Sequence, residues 1–599
     1  MIERREFLGH MARTAVAGGA VLAMGRHAWP LVQTSAGTAR RASVVDFGAD
    51  PTGQNDATAA VQKAIATLGK RNARLVFPAG KYTFAASDAV LMNFRGYEGL
   101  EIFGNGAELS FAGATQPLRL TDCKDLEVHD ITVDWTRPPF SQGIVRAVCD
   151  RSVGDGSVTV VVDPAYPVDG TERVQALHGF EGHGKTPITS GVNVYNVGAV
   201  QSKGSQTLEI ALAERAPFKV GDSIVLLHPA SDTAALRLEG CEQILLETVV
   251  FHTAPGAAVV FSGCRDITLD TVRVIPHPGS GRLISSCGDG IEILDCIGTV
   301  SVQHALIQGT AGAGMRVQQA YWRVSQVTDP QSALLASTDG KPVPEWLLPQ
   351  QGTYMQLSEA STLKLLGEIA VTKAEAAPGG MRLAFGETLS PTIGKGTLFC
   401  LSATNQAQLK MDDCKFRGGP YTGLITQSRA RIGNSSFSGY AGPAVLLAPD
   451  LEHMRGPAVE NVHISDCNFS DCNFAQRNLA PGEERGAITI DTQPGRNGAA
   501  TPENRINEGI TVQRNVFSQL GGPAIYCAGA SWLDVESNHF SDCDRLRPAG
   551  AEPRAMVLRN LDESTITGNE ASAPAKIVTI GCTDKVKVGD NGPLTNATS

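Results

Sequence analysis

The feature that most constrains this chain is an internal repeat. Cys123-Lys-Asp-Leu-Glu-Val-His-Asp-Ile-Thr-Val133, Cys241-Glu-Gln-Ile-Leu-Leu-Glu-Thr-Val-Val-Phe251 and Cys264-Arg-Asp-Ile-Thr-Leu-Asp-Thr-Val-Arg-Val274 share one pattern, with Cys241 and Cys264 separated by 23 residues. It returns at Val300/Val302, Leu409/Met411/Phe416, Ile432/Phe437, Val462/Ile464/Phe469, Ile510/Val512/Phe517, Leu533/Val535/Phe540, Ile566 and Val586/Val588. Each unit is a short alternating strand, a polar pair such as Asp412-Asp413, Ser465-Asp466, Arg514-Asn515 or Ser537-Asn538, and a second apolar position. Such a strand cannot bury its inner face alone, so the units must stack parallel and in register. The expected fold is all-β: a right-handed parallel β-helix with coils ~4.8 Å apart. Asn and Asp at the turns are expected to take left-handed conformations and to stack as hydrogen-bonded ladders.

Composition agrees. Of 599 residues, 42% are apolar and 19% charged, which excludes a disordered chain, and 64 Gly and 32 Pro imply many turns. A net charge of −10 argues against nucleic acid or an anionic membrane surface as partner. Arg4-Arg5-Glu6-Phe7-Leu8 followed by the small apolar run Ala15 to Met24 reads as a twin-arginine export signal, cut between Ala23 and Ala39. A periplasmic or secreted protein with no membrane span in its mature chain is expected. The 13 cysteines are odd in number, and Cys123, Cys241, Cys264 and Cys296 each precede a strand, the place of a small buried residue. Buried free thiols are therefore expected. Cys467 and Cys472 lack partners at zinc spacing, so neither a metal nor a cofactor is implied.

The chain divides into a signal and linker (1–39), an N-terminal cap with first coils (40–140), an inserted β-barrel (141–230), coils carrying the candidate site (231–324), a second inserted barrel (325–402) and C-terminal coils (403–599). The insertions are read from alternating strands without the coil signature. Leu208–Leu212 followed by Ala216–Leu226 parallels Met381–Phe385 followed by Ser390–Phe399. The cap is read as a strand from Val44, a helix from Ala57 to Leu68 introduced by Asp56, and a strand at Leu75-Val76-Phe77. This entry resembles that of the pectin-lyase-like β-helix proteins, a likeness of fold.

Chemistry is expected at Cys287-Gly-Asp-Gly-Ile-Glu-Ile293, where Gly290 permits a bend that turns Asp289 outward. With the order of coils and insertions, Asp289-Gly290-Ile291, the coil Val300 to Val317, Tyr321, Val324, Gly423-Leu-Ile-Thr-Gln-Ser-Arg429 and Gly456-Pro457 resemble glycoside hydrolase family 110, the inverting α-1,3-galactosidases. The likeness spans nearly the whole mature chain and implies hydrolysis of a terminal sugar by two carboxyl groups. The family's acidic pair falls on Gly312 and Ala313, and its Asn and His fall on Arg316 and Gln318. Neither Gly nor Ala transfers a proton, so the resemblance leaves Asp289 with Glu292 as a displaced catalytic pair.

Arg316 is expected to contact an anionic sugar, Gln318 and Gln319 to bind hydroxyls, and Tyr321 or Trp322 to stack on a ring. Gln427 and Arg429, from the Gly423–Arg429 segment, and Asp491, at the end of Ala487–Ile490, complete the candidate contacts. Glu483-Glu484-Arg485 reads as a solvated cluster, and His304 as a turn residue. Two alternatives stay open: a noncatalytic glycan-binding protein that kept the cleft, and a polysaccharide lyase in which Arg316 serves a uronate.

Overall fold

The computed structural model describes residues 40–598 except 88, 151–155, 183–192, 196, 214, 230–232, 339, 428, 476–483 and 492–504. The twin-arginine segment and Glu483 lie outside the described residues.

The molecule is a right-handed parallel β-helix with two antiparallel insertions. Its repeat pairs as the periodicity requires: Leu126, Ile244, Ile267 and Val300 follow one another in the ladder, then Leu409, Ala430, Val462, Ile510 and Leu533. The first insertion falls between Leu126 and Ile244 and the second between Val300 and Leu409, yet both pairs are direct neighbours. The stack therefore runs uninterrupted past each excursion. One continuous apolar column fills it, including a file of phenylalanines from Phe416 to Phe540 whose rings lie 4.8–5.3 Å apart. Cys123, Cys241, Cys264 and Cys296 are buried and free, stacked along one corner.

The turns refine the ladder expectation. Left-handed backbone occurs at Asp413, Asp466, Arg514 and Ser537, one member of each polar pair. In the last two pairs the following Asn515 and Asn538 point inward, and the stack continues through Asn569 to Asn591 with amide bonds of 2.9–3.0 Å. The polar pair thus divides its work between bending and stacking.

At the N-terminal end the helix Thr58–Thr67 buries Ala60, Val61 and Ala64 on the apolar column, and Asp56 Oδ1 accepts the Thr58 N–H at 3.0 Å. The segment expected as a strand at Val44 is a 3-10 turn, Val44–Phe47. Gly48 closes that turn in the left-handed region at φ 95°, its N–H returning to the Val44 and Val45 carbonyls, and extended chain resumes only at Thr52–Asp56.

The first insertion, running from the strand Phe140–Asp150 to Ser223–Leu227, is a seven-stranded antiparallel sheet rather than the expected barrel, since among the described residues its edge strands Asn193–Val194 and Val197–Gly204 do not pair with each other. Its core takes in Ile284 and Ala311 from the coils, and Gln142 exchanges hydrogen bonds with Gly281 and Leu283. The second, from Trp322–Asp329 to Leu398–Leu401, closes into a six-stranded barrel with its own core. Trp346 from this barrel seats on Gly240 and Gly263, where an added Cβ would stand 2.4 and 2.6 Å from its side chain. No helix among the described residues is long and apolar enough to cross a membrane.

Candidate functional site

Parallel stacking lines up residues that sequence separates widely. Arg119, Arg237, Val260, Glu292, Arg316 and Ile425 occupy successive positions of one outward column. Glu292 therefore sits with Arg316 on the adjacent coil and Arg237 two coils away on the other side, ~10 Å along the stack.

Asp289 and Arg316 do meet, but they face each other. Arg316 Nε donates to Asp289 Oδ2 at 2.7 Å, and the Ala313 N–H donates to Oδ1 at 2.7 Å. Asp289 is 7% exposed, so it does not project outward as expected. Gly290 is needed for close approach of the coils rather than for an unusual bend, since a Cβ there would stand 2.4 Å from the Gly314 carbonyl oxygen. The same crowding explains Gly312: its added Cβ would lie 2.1 Å from Asp289 Oδ1. With Asp289 in this position, no carboxylate fits at residue 312.

The ion pair also changes the expected role of Arg316. Its charge is met by Asp289, and its Nη1 donates to Gln318 Oε1 at 2.9 Å. Gln318 Nε2 in turn donates to Gln427 Oε1 at 3.0 Å, and Gln427 donates to the Ala448 carbonyl. Both glutamines are 1% exposed, so they form a buried amide chain rather than a hydroxyl-binding surface. Tyr321 is 2% exposed and packs against Gly456, closed to any sugar face. Trp322, Gln319 and Arg429 line a different cavity, on the side of the second barrel. Asp491 ends its strand several coils further on, where its carbonyl accepts from Asn507.

Glu292 is the expected residue that faces open space. A cavity of about 620 Å³ lies between the coils and the first insertion, lined by Glu292, Arg237, Arg455, His178, His228 and Tyr195, with Gly288 and Gly312 beneath. Its size suits a small ligand such as one or two sugar rings. Burial, and then the negative charge of Asp289, push the Glu292 carboxyl up to about 7, against the pull of Arg316, Arg237 and Arg455. Arg455 also pairs with Asp295 at 3.3 Å.

The insertion contributes the rest of the wall. His178, on the strand Ala176–Phe180, is 1% exposed and neither ring nitrogen has a hydrogen-bond partner. Burial pushes its pKa down to about 3, so it presents a neutral imidazole, able to donate from one nitrogen and accept at the other. His228 is held differently, between Ser141 Oγ and the Arg173 carbonyl, each at 2.9 Å.

Sequence reasoning passed over His178, Arg237 and Arg455. A signal for Arg237 existed: the residues four before Cys123, Cys241, Cys264 and Cys296 are Arg119, Arg237, Val260 and Glu292, the observed column. His178 and Arg455 carry no such mark, since each arrives from outside the repeat.

Comparison with known proteins agrees with this architecture. Residues 42–121 match the family model "Rhamnogalacturonase A/epimerase, pectate lyase-like", and residues 399–591 match "Right handed beta helix region". An alpha-1,3-galactosidase A of Shewanella woodyi is 23% identical over 50% of this chain and 54% of its own length, so the chain spans about half of that relative. An alpha-1,3-galactosidase B of Bacteroides thetaiotaomicron is 24% identical over 92% of this chain and 93% of its own. A solved exopolygalacturonase from Thermotoga maritima covers 93% of this chain and 90% of its own, at 10% identity and a TM-score of 0.40, a likeness too distant to bear on activity. Stack and matched models together make this chain a right-handed parallel β-helix, whose residues 42–121 are similar to the pectate lyase-like model.

Proposed function

We propose that this chain is an exported carbohydrate-active enzyme that hydrolyses the bond to a terminal sugar seated in the cavity of Glu292, protonating the leaving oxygen while water adds to the sugar carbon, and without the second carboxyl group that the family 110 α-galactosidases use. The observation that carries the reading is a carboxyl group raised to about 7 at the wall of a sugar-sized polar cavity. A carboxyl in that range keeps its proton at mildly acidic pH and delivers it to a leaving oxygen, the role of a general acid. Asp289 acts behind it. Paired with Arg316 and below the cavity floor, it supplies part of the negative field that holds the proton on Glu292. The galactosidase names of the two relatives support a galactose-like terminal sugar.

Glu292→Gln is expected to lower hydrolysis of an aryl α-galactoside ~10²–10⁴-fold. In the unaltered protein kcat should fall as pH rises through about 7, where the acid loses its proton. Undiminished turnover in the variant would overturn the assignment. The export signal is tested by exchanging Arg4-Arg5 for Lys-Lys, which should leave the protein in the cytoplasm.

A second reading, a noncatalytic glycan-binding protein, is favoured by one observation: Glu292 is the single carboxyl residue among the described lining of this cavity. Binding of galactosides without turnover would select it. The lyase reading loses its residue, because Arg316 is committed to Asp289.

A further inference from the structure

The second barrel encloses a separate cavity of about 680 Å³ against the coils. It lies on the other side of the coil from the Glu292 site: Leu294 lines the first cavity and Asp295, the next residue, lines this one. Trp346, seated on Gly240 and Gly263, locks the barrel to the stack at its wall. The cavity is therefore built into the docked structure rather than being a loose gap between two bodies.

Its chemistry differs from that of the first. Gln319 is 2% exposed and its Nε2 donates to the Cys296 carbonyl at 2.7 Å, which fixes the amide orientation and leaves Oε1 without a donor. Arg429 Nε, also buried, has no acceptor. Both residues line the cavity and each carries one buried group without a partner, an acceptor on Gln319 and a donor on Arg429; a hydroxyl group, which donates and accepts, satisfies either kind. Trp322 and Trp346 add aromatic surface. Further amides, among them Gln350, Asn405 and Gln408, extend the polar lining, and its charged side chains are of both signs, Glu242, Asp295 and Glu345 beside Arg265 and Arg429, which favours a neutral ligand over an anion.

We propose that this cavity is a second binding site, for a neutral oligosaccharide, in which Gln319 Oε1 and Arg429 Nε hold hydroxyls and Trp322 lies against a sugar ring. The ligand class follows from the lining itself, and the proposal shares with the preceding reading only that both ligands are sugars.

The test uses the full chain carrying Glu292→Gln, titrated calorimetrically with maltotriose, cellotriose, α-1,3-linked galactotriose and trigalacturonate. At least one neutral trisaccharide is expected to bind, and Arg429→Met or Gln319→Met, each close in volume to the original, should weaken it by ~10-fold, the worth of one hydrogen bond to a desolvated group. Trp322→Phe, which keeps the packing on the barrel core, should weaken it less. Thermal unfolding of each variant establishes that the fold is intact. Absence of neutral-sugar binding, binding of the uronate alone, or unchanged affinity in all three folded variants would overturn the proposal. Persistent hydrolysis in the Glu292→Gln background would defeat the general-acid assignment and leave this site standing.

Discussion

The C-terminal coils and the coils around residues 289–318 are built by the same repeat and use it in opposite ways. In the former, like stacks on like: Asn515 on Asn538 on Asn569 on Asn591, and Phe437 on Phe469 on Phe517 on Phe540. In the latter, the outward positions that carry charge do not repeat. Glu292 stands between Val260 and Arg316, and Asp289 lies over Gly312. A ladder of identical side chains satisfies each group with its own kind and leaves nothing over for a ligand. A column of unlike residues leaves a proton, a charge or a space unmatched, and there a site can form.

The largest effect is expected at the Asp289–Arg316 pair, whose side chains are 9% and 21% exposed. Arg316→Met strands a buried carboxylate and should cost ~3–5 kcal/mol in urea unfolding, whereas Asp289→Leu with Arg316→Met should recover most of it. Full loss in the double variant would mean that packing rather than charge governs the position.

Asn538→Ala comes next. It removes the acceptor that the Asn515 backbone N–H and Nδ2 share in the core, while Asn569 Oδ1 keeps the backbone N–H of position 538, and should cost ~3 kcal/mol by the same measurement. A negligible change would show that the ladder is decorative.

Glu292→Gln should do the reverse and stabilise the protein. The folded state keeps the Glu292 proton up to about 7 while the unfolded chain releases it near 4.5, so stability falls as pH rises across that interval. Replacing the acid removes the loss: the gain should be absent below 4.5, grow through the interval and reach at most ~3 kcal/mol above 7. A pH-independent difference would contradict this origin.

The smallest effect is expected at Tyr321→Phe. The ring is enclosed against Gly456, so galactoside affinity should not change, as equilibrium titration would show. A marked loss would mean that Tyr321 reaches ligand after all.

Much of the spine was legible because a solenoid's contacts are local in repeat number. Cys241 and Cys264 share a pattern, so Ile244 and Ile267 must pair, and the long gaps after Leu126 and Val300 are read as insertions by the pattern's return. The meeting of Asp289 with Arg316 followed from the same register. What each did there did not follow, because spacing carries no information on whether two opposite charges face a ligand or each other. The buried amides of Gln318 and Gln427 were misread for a related reason: an amide at an outward position of a strand is exposed only if nothing is laid over it.

Alternation at a fixed repeat leaves a parallel coil as the way to bury every inner face, so the stack, its direction, the thiols at its corners and the presence of two excursions could all be read from the chain, whereas Cys149 on the first insertion is exposed. Which acid faces a cavity depends on how distant parts of the chain pack. His178 comes from the first insertion and Arg455 from a distant coil, and their placement over Glu292 depends on how the insertion docks on Ile284 and Ala311. Burial, and with it the proton affinity of Glu292, is a property of that docking and of no local segment.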